Sequence, residues 1–213
     1  MISWCYPIVF WGLAASLLIK FVQLQLADKG PRWLPLIGLA MAIIPVYGIP
    51  IGRWMHGVTG GFSIPLFAVM FNTLWSQMAG RHLLSQSNRM AMCVAGAVIG
   101  VTLYPLAIGV GPFDPYVLGW SSITLSSVFV IITCALLWNE NAIGYVLLFS
   151  ALAWQVGLLE STNTWDYVID PVLSLGSLAT LIYHAIRKLT VTAHRVETVK
   201  ESDQGVPELR KAA

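Results

Sequence analysis

MAMCVAGAVIGVTLYPLAIGV, residues 90–110, runs for 21 positions without a charged side chain. A helix rising about 1.5 Å per residue needs ~20 apolar residues to cross ~30 Å of hydrocarbon, so this stretch predicts a membrane-spanning helix. Inside it, Gly96-x-x-x-Gly100 is a spacing that lets a second helix approach closely.

Outward from this stretch lie six more of the same kind, at residues 3–19, 34–51, 64–78, 116–138, 142–159 and 171–186. None alternates with period two, as a strand of an outer-membrane barrel would. Pro45 and Pro50 are expected to kink the second or loosen its last turn. Of the 213 residues, 57% are hydrophobic and only 10% charged, against about 25% charged in soluble domains. The expected fold is all-α, a polytopic transmembrane bundle of seven helices over residues 1–186. A basic cytoplasmic tail, 187–213, is expected to start as an interfacial helix and to be partly disordered beyond.

Charge orients the bundle. With the C-terminus in the cytoplasm, one side holds Lys20, Lys29, Arg32, Arg81, Arg89 and six tail residues, and the other holds only Arg53. Such a bias sets N-terminus outside and C-terminus inside, and it requires an odd number of spans. Trp4, Trp54, Trp120 and Trp165 then mark one interface, and Trp33, Trp75 and Trp138 the other. No basic residue precedes the first apolar stretch and no small-residue cleavage site follows it, so it is expected to remain as a helix. Short loops and small size point to a bacterial inner membrane.

The composition also excludes. A net charge of +2 is too small to suggest nucleic acid. Cys5, Cys93 and Cys134 have no metal-ligand spacing and read as packing residues; neither a metal nor a cofactor is expected. No G-x-S-x-G elbow or zinc-type histidine pair is present. No lysine precedes Lys188 in the last span, which excludes a retinal Schiff base. No charged residue sits near the middle of a span, which argues against ion-coupled transport. Asn72 and Gln155 are the deepest strong hydrogen-bonding side chains, suited to joining helices or lining a path.

Polar chemistry collects in three outer connections: GRWMHGVTGGFS (52–63), GPFDPY (111–116) and ESTNTWDYVIDP (160–171). Glu160, Asp166 and His56 are the candidate acid–base groups. Arg53, Asp114, Asn163 and Asp170 are the candidate headgroup-binding residues. Each has a plainer reading. Asp114-Pro115 and Asp170-Pro171 fit helix starts, with Asp as cap and Pro at the first helical position. Arg53 would pair with a carboxylate, His56 would be an exposed loop residue, and 57–61 would be turns.

The leading expectation is a non-enzymatic accessory or lipid-handling protein with a polar outer face. Its partners would be membrane lipids, with a larger envelope protein or a second copy of the chain beside it. The alternatives are a membrane-embedded enzyme acting on a lipid-linked headgroup, and a small transporter or flippase.

Overall fold

A computed structural model describes residues 2–25, 31, 33–121 and 123–209; beyond residue 190 the backbone alone is described. The fold is all-α. Lys29 and Arg32, two of the orienting basic residues, lie outside the described residues. Among the described residues, two helices are long and apolar enough to cross a membrane by length and composition, Cys5–Gln23 and Gln86–Ala107. Ile123–Trp138 and Ala142–Gln155 are apolar but shorter.

The chain starts with α1 (Cys5–Gln25) and α2 (Leu36–Ile43), which pack through small residues. A Cβ placed on Gly38 would lie 2.3 Å from the backbone nitrogen of Ser16, and one on Gly12 would lie 2.9 Å from Leu39 Cα. Because 38 meets 16 while 39 meets 12, the two helices run antiparallel. The stretch 34–51 is not one helix, contrary to expectation. It stops at Ile43, and β1 (Pro45–Val46) pairs with β2 (Ile49–Pro50) in a two-residue antiparallel hairpin. Tyr47 and Gly48 turn it with φ of 51° and 78°, the two successive positive values of a tight hairpin turn. Pro45 ends the helix instead of kinking it, because it has no N–H to continue the ladder and disfavours a helical residue before it, while Pro50 immediately precedes the next helix, Ile51–Thr59.

Next come α3 (Ile51–Thr59), α4 (Ile64–Ala79) and α5 (Gln86–Ala107). Ser63 caps α4 and Ser85 caps α5. Residues 116–138 are also interrupted: a 3-10 turn (Pro115–Val117) and the four-residue α6 (Leu118–Ser121) precede α7 (Ile123–Trp138). From α7 the chain reverses through Glu140 (φ 52°) into α8 (Ala142–Gln155), capped by Asn141. α8 ends four residues short of the expected 159, and Gly157 turns the chain at φ 62°. The short α9 (Thr164–Val168) follows, and then α10 (Pro171–Leu209). α10 is a single helix that passes Gly205 and Pro207.

The glycine pair of α5 does what its spacing suggests. Cβ atoms on Gly96 and Gly100 would lie 2.7 Å from Ser177 Oγ and 2.3 Å from Ser174 Oγ. The small side chains of Ser174 and Ser177 on α10 therefore fill the space over the two glycines, and close contact makes up in dispersion what these residues lack in area. The main core lies where α1, α4, α8 and α9 converge, around Tyr6, Phe10, Ile64, Ala153, Leu159 and Tyr167, with Phe10 stacked on Phe62 at 4.4 Å. The outward faces are apolar too: Leu18, Ile123, Ile131 and Leu175 are all exposed.

Candidate functional site at the polar end of the bundle

The three connections 52–63, 111–116 and 160–171 meet at one end of the molecule and are bonded to one another. Asp170 is the innermost tie. It is 3% exposed, and Oδ1 accepts from Leu173 N (2.8 Å) at the start of α10. Oδ2 accepts from Ser63 N (3.0 Å) and Ser63 Oγ (2.5 Å) at the start of α4. One carboxylate thus serves two helix N-termini, where unpaired N–H groups and the positive dipole end both favour an anion. Tyr6 Oη donates to the carbonyl oxygen of Phe62 (2.9 Å), bringing α1 to the same point.

Asn163 is fully buried. Its Oδ1 accepts from Trp165 N (2.9 Å) to cap α9, and its Nδ2 donates to Tyr116 O (3.0 Å). Trp165 Nε1 donates to Pro115 O (3.0 Å), and Tyr116 Oη donates to Asp166 Oδ1 (2.7 Å). Asp114 accepts from Tyr116 N (2.8 Å), capping the 3-10 turn. Tyr167, with no exposed surface, donates its hydroxyl to carbonyls of the 159–161 loop, Leu159 O and Ser161 O, both at 2.9 Å. Of the proposed headgroup ligands, then, Asp170, Asn163 and Asp114 hold helix and turn starts.

Arg53 stands on α3 and pairs with Glu160, 107 positions away. Its guanidinium also lies over the Trp4 ring, with Cζ 4.9 Å from the centroid, a favourable cation–π placement. His56 lies one turn further along. The plain reading of it as an exposed loop residue does not hold: residues 51–59 are helical, and His56 is 9% exposed. Gly52 is what allows this. A Cβ there would lie 2.7 Å from Ile8 Cα, so α3 can lie flat on α1 only with glycine at that position.

His56, Glu160, Ser161 and Asp166 line one cavity of about 430 Å³, together with Leu159 and the backbone of Gly57, Gly60 and Gly61. The three acid–base candidates therefore share a pocket, while Asp170 is sealed beneath. Asn72 lies elsewhere, buried in α4, and Gln155 is the exposed last residue of α8. Ser63 carried no expected role, yet it is fully buried at the double cap. Its signal was the Ser-Ile-Pro order, a cap followed by proline in the first turn.

Two shifted groups make this end sensitive to acid. The hydrogen bond from Arg53 holds the Glu160 carboxyl below its usual 4.5. Burial pushes His56 below 6.5; Glu160 opposes that shift and Arg53 adds to it. A depressed carboxyl stabilises fully above its unfolded value and loses this as pH falls through the folded one. A histidine whose pKa burial lowers binds its proton less readily when folded than when unfolded, which costs stability below its unfolded value. Both effects run the same way. Melting temperature is expected to fall as pH drops from about 7.5 to about 4, by an amount set by an exposed pair's ~1 kcal/mol or less plus the histidine. The fall should shrink in a Glu160→Gln, His56→Gln double variant; an undiminished fall would trace it to other carboxylates.

No protein-family model, curated protein sequence or solved structure matches this chain.

Proposed function

We propose that this chain is a multi-pass protein of a bacterial inner membrane that crosses it seven times and binds lipid through its outer polar end. The topology is carried by one observation: the connections 52–63, 111–116 and 160–171, which together hold Arg53 and no other Lys or Arg, are bonded to one another at one end, through Arg53–Glu160, Ser63–Asp170 and Asn163–Tyr116. Arg81 and Arg89 flank the α4–α5 connection, on the opposite side in this reading. The second crossing would use α2, extended by the turns at 33–35 and by Pro45–Val46. The apolar outward faces fit a lipid surround, since water would not tolerate so much apolar surface.

The lipid reading rests on the outer pocket. Its volume of about 430 Å³ falls within the usual range for ligand sites, roughly 300–1,000 Å³. Glu160, Asp166 and Ser161 offer acceptors there, which suits a headgroup with ammonium or hydroxyl donors. A binding role fits better than catalysis because both carboxylates already hold partners, Arg53 and Tyr116. Ser63, whose hydroxyl is bonded to the Asp170 carboxylate, is fully buried and does not line the pocket. The test is the lipid retained by the purified chain. Wild type should be enriched in amine- or hydroxyl-bearing headgroups over the membrane it came from, and Asp166→Asn should lose that enrichment at unchanged melting temperature. Retained lipid that mirrors the bulk membrane would overturn the reading. The shared pocket of His56, Glu160 and Asp166 favours a second reading, an enzyme on such headgroups; headgroup turnover lost in His56→Gln would establish it instead.

A further inference from the structure

We propose that the cleft between α4 and α8 is a second lipid site, which takes an acyl chain and hydrogen-bonds its ester carbonyl through Asn72. The cleft holds about 650 Å³ and is walled by apolar and aromatic side chains, among them Phe67, Phe71, Phe149 and Leu152. It runs from Ala142, the first residue of α8, to Val156 just past its end. That is about 21 Å of helix, against roughly 15 Å for one leaflet of hydrocarbon.

Asn72 forms part of this wall and is 1% exposed. Its Oδ1 accepts from Leu83 N (2.9 Å) and Leu84 N (2.8 Å), folding the α4–α5 connection back against the bundle. Two backbone N–H donors at one end of the amide identify that end as oxygen, so the other is the NH2 group. Nδ2 is buried and has no partner among the described residues. A buried amide hydrogen without an acceptor is costly, and apart from Asn72, Tyr6 and Tyr145 the residues that line the cleft are apolar. The ligand that answers both facts is long, apolar and equipped with one carbonyl oxygen near its polar end.

The position of that oxygen follows from the cleft. Asn72, Leu83, Leu84 and Ala142 form the end remote from the polar cap, so the lipid enters from the leaflet on that side and its chain runs toward Leu158. This rests on the membrane reading of the chain but not on the headgroup pocket, and the test holds the headgroup constant. Full-length protein in detergent would be titrated with chain-matched diacyl and dialkyl phosphatidylcholine, which differ only in the ester carbonyls, and bound lipid read by native mass spectrometry. Wild type should retain the diacyl form over the dialkyl by roughly threefold to tenfold, the value of one net hydrogen bond. Asn72→Asp keeps an oxygen for Leu83 and Leu84 but replaces the amide donor, and should bring the ratio to about one. Leu152→Trp fills the cleft from its exposed side and should reduce retention of both lipids. Equal retention of the two lipids by wild type overturns the proposal, as does a preference that persists in Asn72→Asp or undiminished retention of both lipids in Leu152→Trp. The wild-type comparison and Leu152→Trp decide it even where Asn72→Asp fails to fold.

Discussion

Asp170→Ala is expected to destabilise the chain by roughly 3 kcal/mol or more, enough to deplete folded protein from the membrane. The change strands three donors at once: Ser63 N, Ser63 Oγ and Leu173 N. Two are backbone groups at the starts of α4 and α10, and water has little access to a site where Asp170 is 3% exposed. Each stranded donor costs about 1–3 kcal/mol. Asp170→Asn keeps one oxygen acceptor and should fall between alanine and wild type. Ser63→Ala removes a cap and one donor and should cost about 1 kcal/mol. Thermal melting in detergent, with recovery of monodisperse protein, measures all three. An alanine variant that melts within a degree or two of wild type would show that the two helix starts do not depend on this carboxylate.

Gly38→Ala should have a comparable effect for a different reason. The added methyl would meet Ser16 N at 2.3 Å, and Ser16 Cα and Ala15 C at 2.7 Å, all backbone atoms that no rotamer change can move. α1 and α2 must separate, opening a contact that Gly12, Leu39 and Ala42 also share. Overpacking usually costs about 1–3 kcal/mol, and a backbone clash belongs at or above the top of that range. Gly176→Ala is the matched control. No atom lies within 4 Å of a Cβ there, and alanine is favoured over glycine inside a helix by about 1 kcal/mol. The first variant should melt well below wild type and the second at or above it. Equal melting temperatures would mean that α1 and α2 do not approach as closely as described.

How far the sequence could be read differs from element to element. Long uncharged runs located α4, α5 and α8 to within four residues, because apolar length is what a helix of this kind requires, whereas α1 runs on through Lys20 to Gln25, six residues past its expected end. The run at 34–51 misled because composition reports apolarity and not backbone geometry; Pro45, Pro50 and the Tyr47-Gly48 turn outweighed it. α3 was missed because Gly52 and Gly57 lower helix propensity, while the reason for the helix, the fit of Gly52 against Ile8, is a tertiary contact. The same limit applied to the polar end. Charge counting brought Arg53, His56, Asp114 and the 160–170 segment to one side. The Asp170-Pro171 order marked Asp170 as a helix start, but its second tie, to Ser63 across 107 positions, is a tertiary contact that sequence does not show.

The central claim, that 52–63 and 160–171 share the outer side while the α4–α5 connection lies within, is tested most directly by cysteine labelling in intact cells. Cys5 and Cys134 are exposed, so all three native cysteines are first replaced. Asn163 is unsuitable as a reporter because it is fully buried and caps α9; Thr162 beside it is exposed, and so is Ser87 at the start of α5. An impermeant maleimide should label Thr162→Cys in intact cells, and Ser87→Cys only after permeabilisation. Labelling of Ser87→Cys without Thr162→Cys would invert the molecule. Labelling of both in intact cells would contradict a membrane between them.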